Sequence, residues 1–250
     1  MSHLLDESAI SHALNGSYWR VSVVQETRST QTMLRDSTPT HGDVIVAEFQ
    51  SHGRGRLDRS FEAAPHAALL FSFYIEPTTS PENFTFLPLL AGWVVAHTLN
   101  QKCTTGFSTK WPNDILFGEK KVSGLLVERC GNGIIVGIGI NTSMSETQLP
   151  VPTATSIALA TGVTPNRNQL LADFLIAFGD AFQQWEAGHD YTSDYIALSS
   201  TVNQDVEITL PGGMVQRGRA ARIDVTGALI LDSGERVTVG DVVHLRRTSD

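Results

Sequence analysis

The chain has 250 residues, enough for one large domain or a large and a small one, and its 41% hydrophobic and 18% charged residues exclude a disordered chain. Its formal net charge is −8 and its pI about 5.4, which argues against nucleic acid as the main partner, because neutralising phosphates needs a basic face. Cys103 and Cys130 supply neither a disulfide framework nor a metal spacing and fit reduced thiols.

The first residues carry acids where a signal peptide has basic ones, and the apolar stretch 86–99 is interrupted by Pro88 and His97. A soluble, cytoplasmic chain is therefore expected, with no membrane segment. In chain order, residues 19–25 read as a strand and 29–36 as a short helix capped by Ser29 or Thr30. Residues 43–49 read as a strand, 50–60 as a glycine-rich loop, 68–75 as an alternating strand and 84–100 as a buried helix. The stretches 108–111, 115–117, 121–129 and 133–141 are short and joined by turn residues, which predicts an antiparallel run with hairpins.

Apolar residues from Leu170 to Trp185 recur at helical spacing, which predicts an amphipathic helix over 166–187, and a shorter one follows near 194–198. After Ser200 the chain turns to short strands and turns that fit a small β-barrel. A boundary near 199–202 divides the chain into a unit 1–199 and a unit 200–250.

Four segments carry candidate chemistry. In Gly53-Arg54-Gly55-Arg56, glycine backbone can approach an anion and arginine offers a donor fork for carboxylate or phosphate; a solvated surface loop is the bland alternative. Lys110, Trp111, Pro112, Asn113 and Asp114 gather polar groups at a proline bend. Asp114 could hold an arginine or a metal ion and Asn113 phosphate or hydroxyl groups, although an Asx-capped turn has the same composition. Lys121, entering the strand KVSGLLVE, could point into a cleft or into solvent, and spacing does not separate the two. Gly137 and Gly139, ahead of Asn141, mark either a ligand against the backbone or close packing of a helix. By themselves Ser29 and Thr30 are better read as a helix cap. Walker A, G-x-G-x-x-G, H-E-x-x-H and G-x-S-x-G patterns are all missing, which disfavours P-loop, dinucleotide-binding, zincin and α/β-hydrolase readings.

EFQSHGRGR, KWPNDIL, KVSGLLVE and GIGIN, in this order, together resemble the biotin–protein ligases, also called biotin–[acetyl-CoA-carboxylase] ligases or holocarboxylase synthetases. The resemblance runs from about Val24 to the C-terminus. It implies an α/β (α+β) fold: a catalytic unit like the class II aminoacyl-tRNA synthetases, with a mixed sheet and flanking helices, followed by an SH3-like β-barrel. It also implies a two-step reaction. Biotin's carboxylate attacks the α-phosphate of Mg-ATP to give biotinyl-5′-AMP and pyrophosphate, and a lysine of the apo biotin carboxyl carrier protein then displaces AMP.

Carried over residue by residue, the resemblance gives Ser29, Thr30, Gln31 and Gln50 the bicyclic ring of biotin. Gly53, Arg54, Gly55 and Arg56 take the carboxylate and close over the adenylate. Lys121 falls at the carboxylate–α-phosphate junction, so Lys121, Arg54 and Arg56 are the expected catalytic residues. Gly124 and Gly139 allow close approach to biotin. The adenylate falls to Arg56, Phe61, Lys110, Trp111, Asn113, Asp114, Lys121 and Asn141, with Asp114 beside Mg²⁺. Phe61 replaces a tryptophan common in the family and stacks on adenine with less area. Leu57 and Asp58 stand in place of basic and glycine residues, and Gln31 in place of asparagine.

About twenty residues precede the first strand, too few for the winged helix of the repressor members, so direct DNA binding is not expected. The resemblance allows a monomer or a homodimer, including pairing that depends on the adenylate. A lipoate– or octanoyl–protein ligase of the same superfamily and a non-catalytic biotin sensor are the alternatives. Which acid exchanges pyrophosphate into ATP separates them.

Overall fold

The protein is described by a computed structural model over residues 4–56 and 59–245. The departures at Leu57 and Asp58 lie outside the described residues. The chain opens with a short helix that the sequence reading did not predict, α1 (Glu7–Ala13), capped by Asp6, whose carboxylate accepts from the Ala9 N–H.

A seven-stranded mixed sheet follows: β1 (Arg20–Thr27), β2 (Asp43–Gln50), β3 (Ala68–Ile75), β4 (Phe107–Lys110), β5 (Asp114–Phe117), β6 (Lys120–Cys130) and β7 (Gly133–Asn141), in the order β1-β2-β3-β7-β6-β5-β4. Among the described strands only β1 and β2 pair in parallel, which requires a crossover, and α2 (Thr30–Asp36) supplies it. The expected antiparallel run is present from β4 to β7.

One face of the sheet carries Val44, Val46, Phe71, Phe73 and Val136, which belong to the main core together with α3 (Leu87–Lys102) and α5 (Arg167–Glu186). The other face carries Ile45, Tyr74 and Ile135, which pack with Leu34 of α2. β3 is therefore buried along its whole length, where the sequence suggested alternating exposure. The helix expected over 84–100 begins as a 3₁₀ turn at Pro81–Phe86 and becomes α-helical at Leu87. The amphipathic helix is α5, capped by Asn166, with the short α4 (Ile157–Thr161) before it and α6 (Thr192–Ala197) after it.

The C-terminal strands β8 (Asp205–Thr209), β9 (Val215–Ile223), β10 (Leu229–Leu231), β11 (Arg236–Val237) and β12 (Asp241–His244) form an antiparallel sheet of order β11-β10-β9-β8-β12. The connection into it is fastened to the first sheet, since the Ser200 N–H donates to Thr109 O at 2.8 Å and the Thr109 N–H donates to Leu198 O at 2.8 Å. Val206, Ile208 and Leu229 share one apolar cluster with the main core. Among the described residues no helix is long and apolar enough to cross a membrane.

Candidate active site

Strand register builds the floor of a cleft. Ser72 of β3 stands opposite Gly137, which stands opposite Leu126; Leu70 stands opposite Gly139, which stands opposite Gly124, which stands opposite Asp114. These rows lie on the face that α2 covers. Where the two glycines remove side chains from β7, the sheet leaves a trough of about 110 Å³. A Cβ on Gly137 would fall 2.3 Å from Gln31 Oε1, and one on Gly139 would fall 2.5 Å from the Phe61 ring. The glycines thus admit Gln31 and Phe61 against the strand.

A bulge sets the lysine. β5 and β6 pair Ile115 with Ser123 but Leu116 with Lys121, so Val122 is the extra residue. Strict alternation would turn Lys121 away from Gly124; the bulge puts both on the cleft side, and Lys121 Nζ meets Asp114 Oδ1 at 2.6 Å.

At the α2 end lies a polar network. Gln50 Oε1 accepts from the Thr30 N–H at 2.7 Å and from Thr30 Oγ1 at 3.0 Å, and the Thr30 and Ser72 hydroxyls are 2.8 Å apart. Ser29 caps α2, accepting from the Thr32 N–H at 3.5 Å, and it also lines the cleft, so the cap and the site coincide.

The loop after β2 folds back on itself, with the Gly55 N–H donating to Arg59 O at 2.7 Å and the Phe61 N–H to Gly53 O at 2.9 Å. Its arginines make three different attachments. Arg54 grips Glu128 with both terminal nitrogens, at 2.9 and 3.0 Å. Arg56 donates to Asn113 Oδ1 at 3.0 Å and to Gly240 O at 3.4 Å. Arg59 pairs with Asp241. Burial pulls the Arg56 guanidinium down; Asp241 and Asp114 oppose that effect and Arg59 adds to it.

The structure therefore brings Ser29, Thr30, Gln31, Gln50, Arg54, Gly55, Arg56, Phe61, Asn113, Asp114, Lys121, Gly124 and Gly139 to one cleft. Four expected residues do not line it. Gly53 holds the loop base through Phe61. Lys110 sits opposite Asp114 on β4 and is half-buried, its ammonium pulled down by burial and by Lys121 and pushed up by Asp114 and Asp241. Asn141 is buried, and its amide NH₂ donates to Thr155 O at 3.0 Å.

Trp111 is the fourth expected residue outside the cleft. It is 1% exposed, and its indole N–H donates to Gly227 O at 3.0 Å, so it fastens the C-terminal sheet to the first one. Its bulk suits the junction of two apolar surfaces. Trp111→Phe is expected to cost about 1–3 kcal/mol in urea unfolding, because the Gly227 carbonyl loses its donor; a change below about 0.5 kcal/mol would show that this bond carries no net stability.

Sequence reasoning missed Glu128 and Asp241. Glu128 was visible as the last residue of KVSGLLVE, whereas nothing local marks Asp241. Among the described residues no cluster of three or more His, Cys, Asp or Glu is placed to hold a metal ion. The chemical capacity is that of an anion site: guanidinium and ammonium groups at one end, hydroxyls and amides at the other, and a ring beside the floor.

Residues 22–145 match the family described as the Biotin/lipoate A/B protein ligase family. The chain is 34% identical to the biotin–[acetyl-CoA-carboxylase] ligase of Mycobacterium tuberculosis, over 97% of this chain and 96% of that protein. It is 30% identical to the bifunctional ligase/repressor BirA of Salmonella typhimurium, over 92% of this chain and 74% of that protein. Among solved structures it is similar to a biotin protein ligase from Aquifex aeolicus in complex with biotin and ATP, with a TM-score of 0.80 and 28% identity over 90% of this chain and 98% of that one.

Proposed function

This chain belongs to the Biotin/lipoate A/B protein ligase family, and from that premise we propose the following chemistry for its cleft. The activity is that of an ATP-dependent biotin protein ligase. Biotin is activated to biotinyl-5′-AMP with release of pyrophosphate, and the acyl group passes to a lysine of a biotin carboxyl carrier domain.

The observation that carries this reading is a single trough with ureido-type donors and acceptors at one end and the Lys121–Asp114 pair at the other. Thr30, Ser29, Gln31 and Gln50 hold the bicyclic ring, since hydroxyls and amides complement a ureido group. Lys121 meets biotin's carboxylate and the α-phosphate as negative charge develops there, releasing Asp114. Arg56 and the Gly55 backbone close over the adenylate, Phe61 offers its face to adenine, and Asn113 borders the phosphates. Arg54, expected from sequence to be catalytic, would in this reading hold the loop, which its fork on Glu128 supports. Mg²⁺ would enter on the triphosphate, where Asp114 is the carboxylate that would hold it, and would neutralise phosphate charge. We assign residues 1–199 to catalysis and 200–250 to a unit that closes one side of the site through Gly240 and Asp241.

Incubating the protein with ATP, Mg²⁺, biotin and an apo carrier domain, and following the carrier's mass, tests the assignment. A gain of one biotinyl group that requires ATP is expected; modification by lipoate instead would overturn it. Arg56→Gly is expected to release biotinyl-AMP and label bystander lysines, because the seal to Asn113 and Gly240 is gone. Unchanged retention of the intermediate would remove Arg56 from the closure.

A further inference from the structure

Glu128 gathers more polar bonds than any group the proposed chemistry uses, yet it touches no expected reacting atom. Its carboxylate takes both terminal nitrogens of Arg54, accepts from Arg35 Nη2 at 2.7 Å, and accepts from Gln31 Nε2 at 3.1 Å. Arg35 and Gln31 are on α2, Arg54 is on the loop, and Glu128 is on β6 opposite Ile135.

An amide can face either way, and its neighbours decide. Gln31 has two acceptors on one side, Glu128 Oε2 at 3.1 Å and Ile135 O at 3.3 Å, so its NH₂ faces them. Its Oε1 is thereby turned to accept from Ser72 Oγ at 3.2 Å. Ser72, spending its proton on Gln31, can only accept across its 2.8 Å contact with Thr30, whose single hydroxyl proton is shared between Ser72 Oγ and Gln50 Oε1. The orientations of the Gln31 amide and the Ser72 hydroxyl are thus set from one carboxylate. The same carboxylate holds the first arginine of the loop.

Resting on the ligase reading, we propose that Glu128 is a positioning residue that couples the loop to the head-group pocket. It presents Gln31 and Ser72 in one polarity and docks Arg54 so that the loop lies over the bound acid. Burial raises the Glu128 carboxyl, but hydrogen bonds from Arg54 and Gln31 and the charge of Arg35 outweigh it and hold it below the usual carboxylate range, so it stays an acceptor at neutral pH.

Glu128→Gln tests this, because the variant keeps shape but brings an NH₂ group to a site that needs only acceptors. The KM for biotin is expected to rise about tenfold or more, with kcat at saturating biotin and KM for ATP within about threefold of wild type. Trypsin nicking after Arg54, Arg56 and Arg59, followed by mass spectrometry without any substrate, is expected to quicken about fivefold while Tm is retained. Arg54→Lys, which loses the fork, should quicken nicking similarly, and the double variant should be no faster than either single one. A biotin KM within twofold of wild type together with unchanged nicking overturns the proposal, as does a fall in kcat and Tm at unchanged KM. If wild type fails to biotinylate any carrier, the ligase reading fails, and the substrate-free nicking still decides whether Glu128 holds the loop.

Discussion

Replacing Lys121 by alanine is expected to slow biotin-dependent exchange of pyrophosphate into ATP on the order of 10²-fold or more. Lys121 brings a compact cation to the cleft, and the bulge at Val122 is what aims it there. Its partner is Asp114, and a carboxylate on the ammonium shows how biotin's own carboxylate can be held. The two side chains are 39% and 26% exposed, so the pair itself contributes little to stability. The variant should therefore unfold at nearly the wild-type temperature, which separates lost chemistry from lost fold. A near-normal exchange rate would take Lys121 off the catalytic residues and leave the loop arginines as the remaining cations of the reaction.

Glu48→Gln is expected to cost roughly 3–5 kcal/mol of unfolding free energy, although Glu48 has no place in the cleft. Glu48 and Arg167 are each 1% exposed and meet at 2.6 Å. The same carboxylate accepts from the Leu5 N–H at 2.5 Å and contacts His66 Nδ1 at 3.1 Å, and Arg167 also donates to Ala68 O at 3.1 Å. One buried pair thereby ties β2, the start of α5 and the N-terminal segment. A neutral amide leaves the buried guanidinium with less counter-charge, and water cannot reach in to compensate. Burial raises the Glu48 carboxyl, but Arg167, the Leu5 N–H and His66 outweigh it, so its folded pKa lies below the ordinary range. The sign follows from that. Its contribution is complete above the unfolded carboxylate pKa and is lost as pH falls through the folded value. Wild type should therefore lose stability on acidification more steeply than the variant. Urea midpoints across that range check both statements, and a neutral-pH difference below about 1 kcal/mol would show that the pair only balances its desolvation.

The sequence by itself determined the order of the chemical segments and most of the strands and helices that carry them. Loop, proline bend, lysine strand and glycine strand are each local patterns, and local backbone preference with apolar period is enough to read them. Residues of α2, the end of β2 and the loop, such as Thr30, Gln50 and Arg56, were placed by the family resemblance, and they line one cleft. The tertiary structure alone decided which side chains face one another. The bulge at Val122 breaks the two-residue alternation, so no period could say that Lys121 shares a side with Gly124. Trp111 reads as part of a polar motif but is buried by a strand turn more than a hundred residues later, at Gly227. Arg54 with Glu128, Arg59 with Asp241 and Glu48 with Arg167 are pairs between distant segments. Their partners are fixed by strand register and by docking of the C-terminal sheet, quantities that depend on the whole packed core and leave no mark in the few residues on either side of each charge.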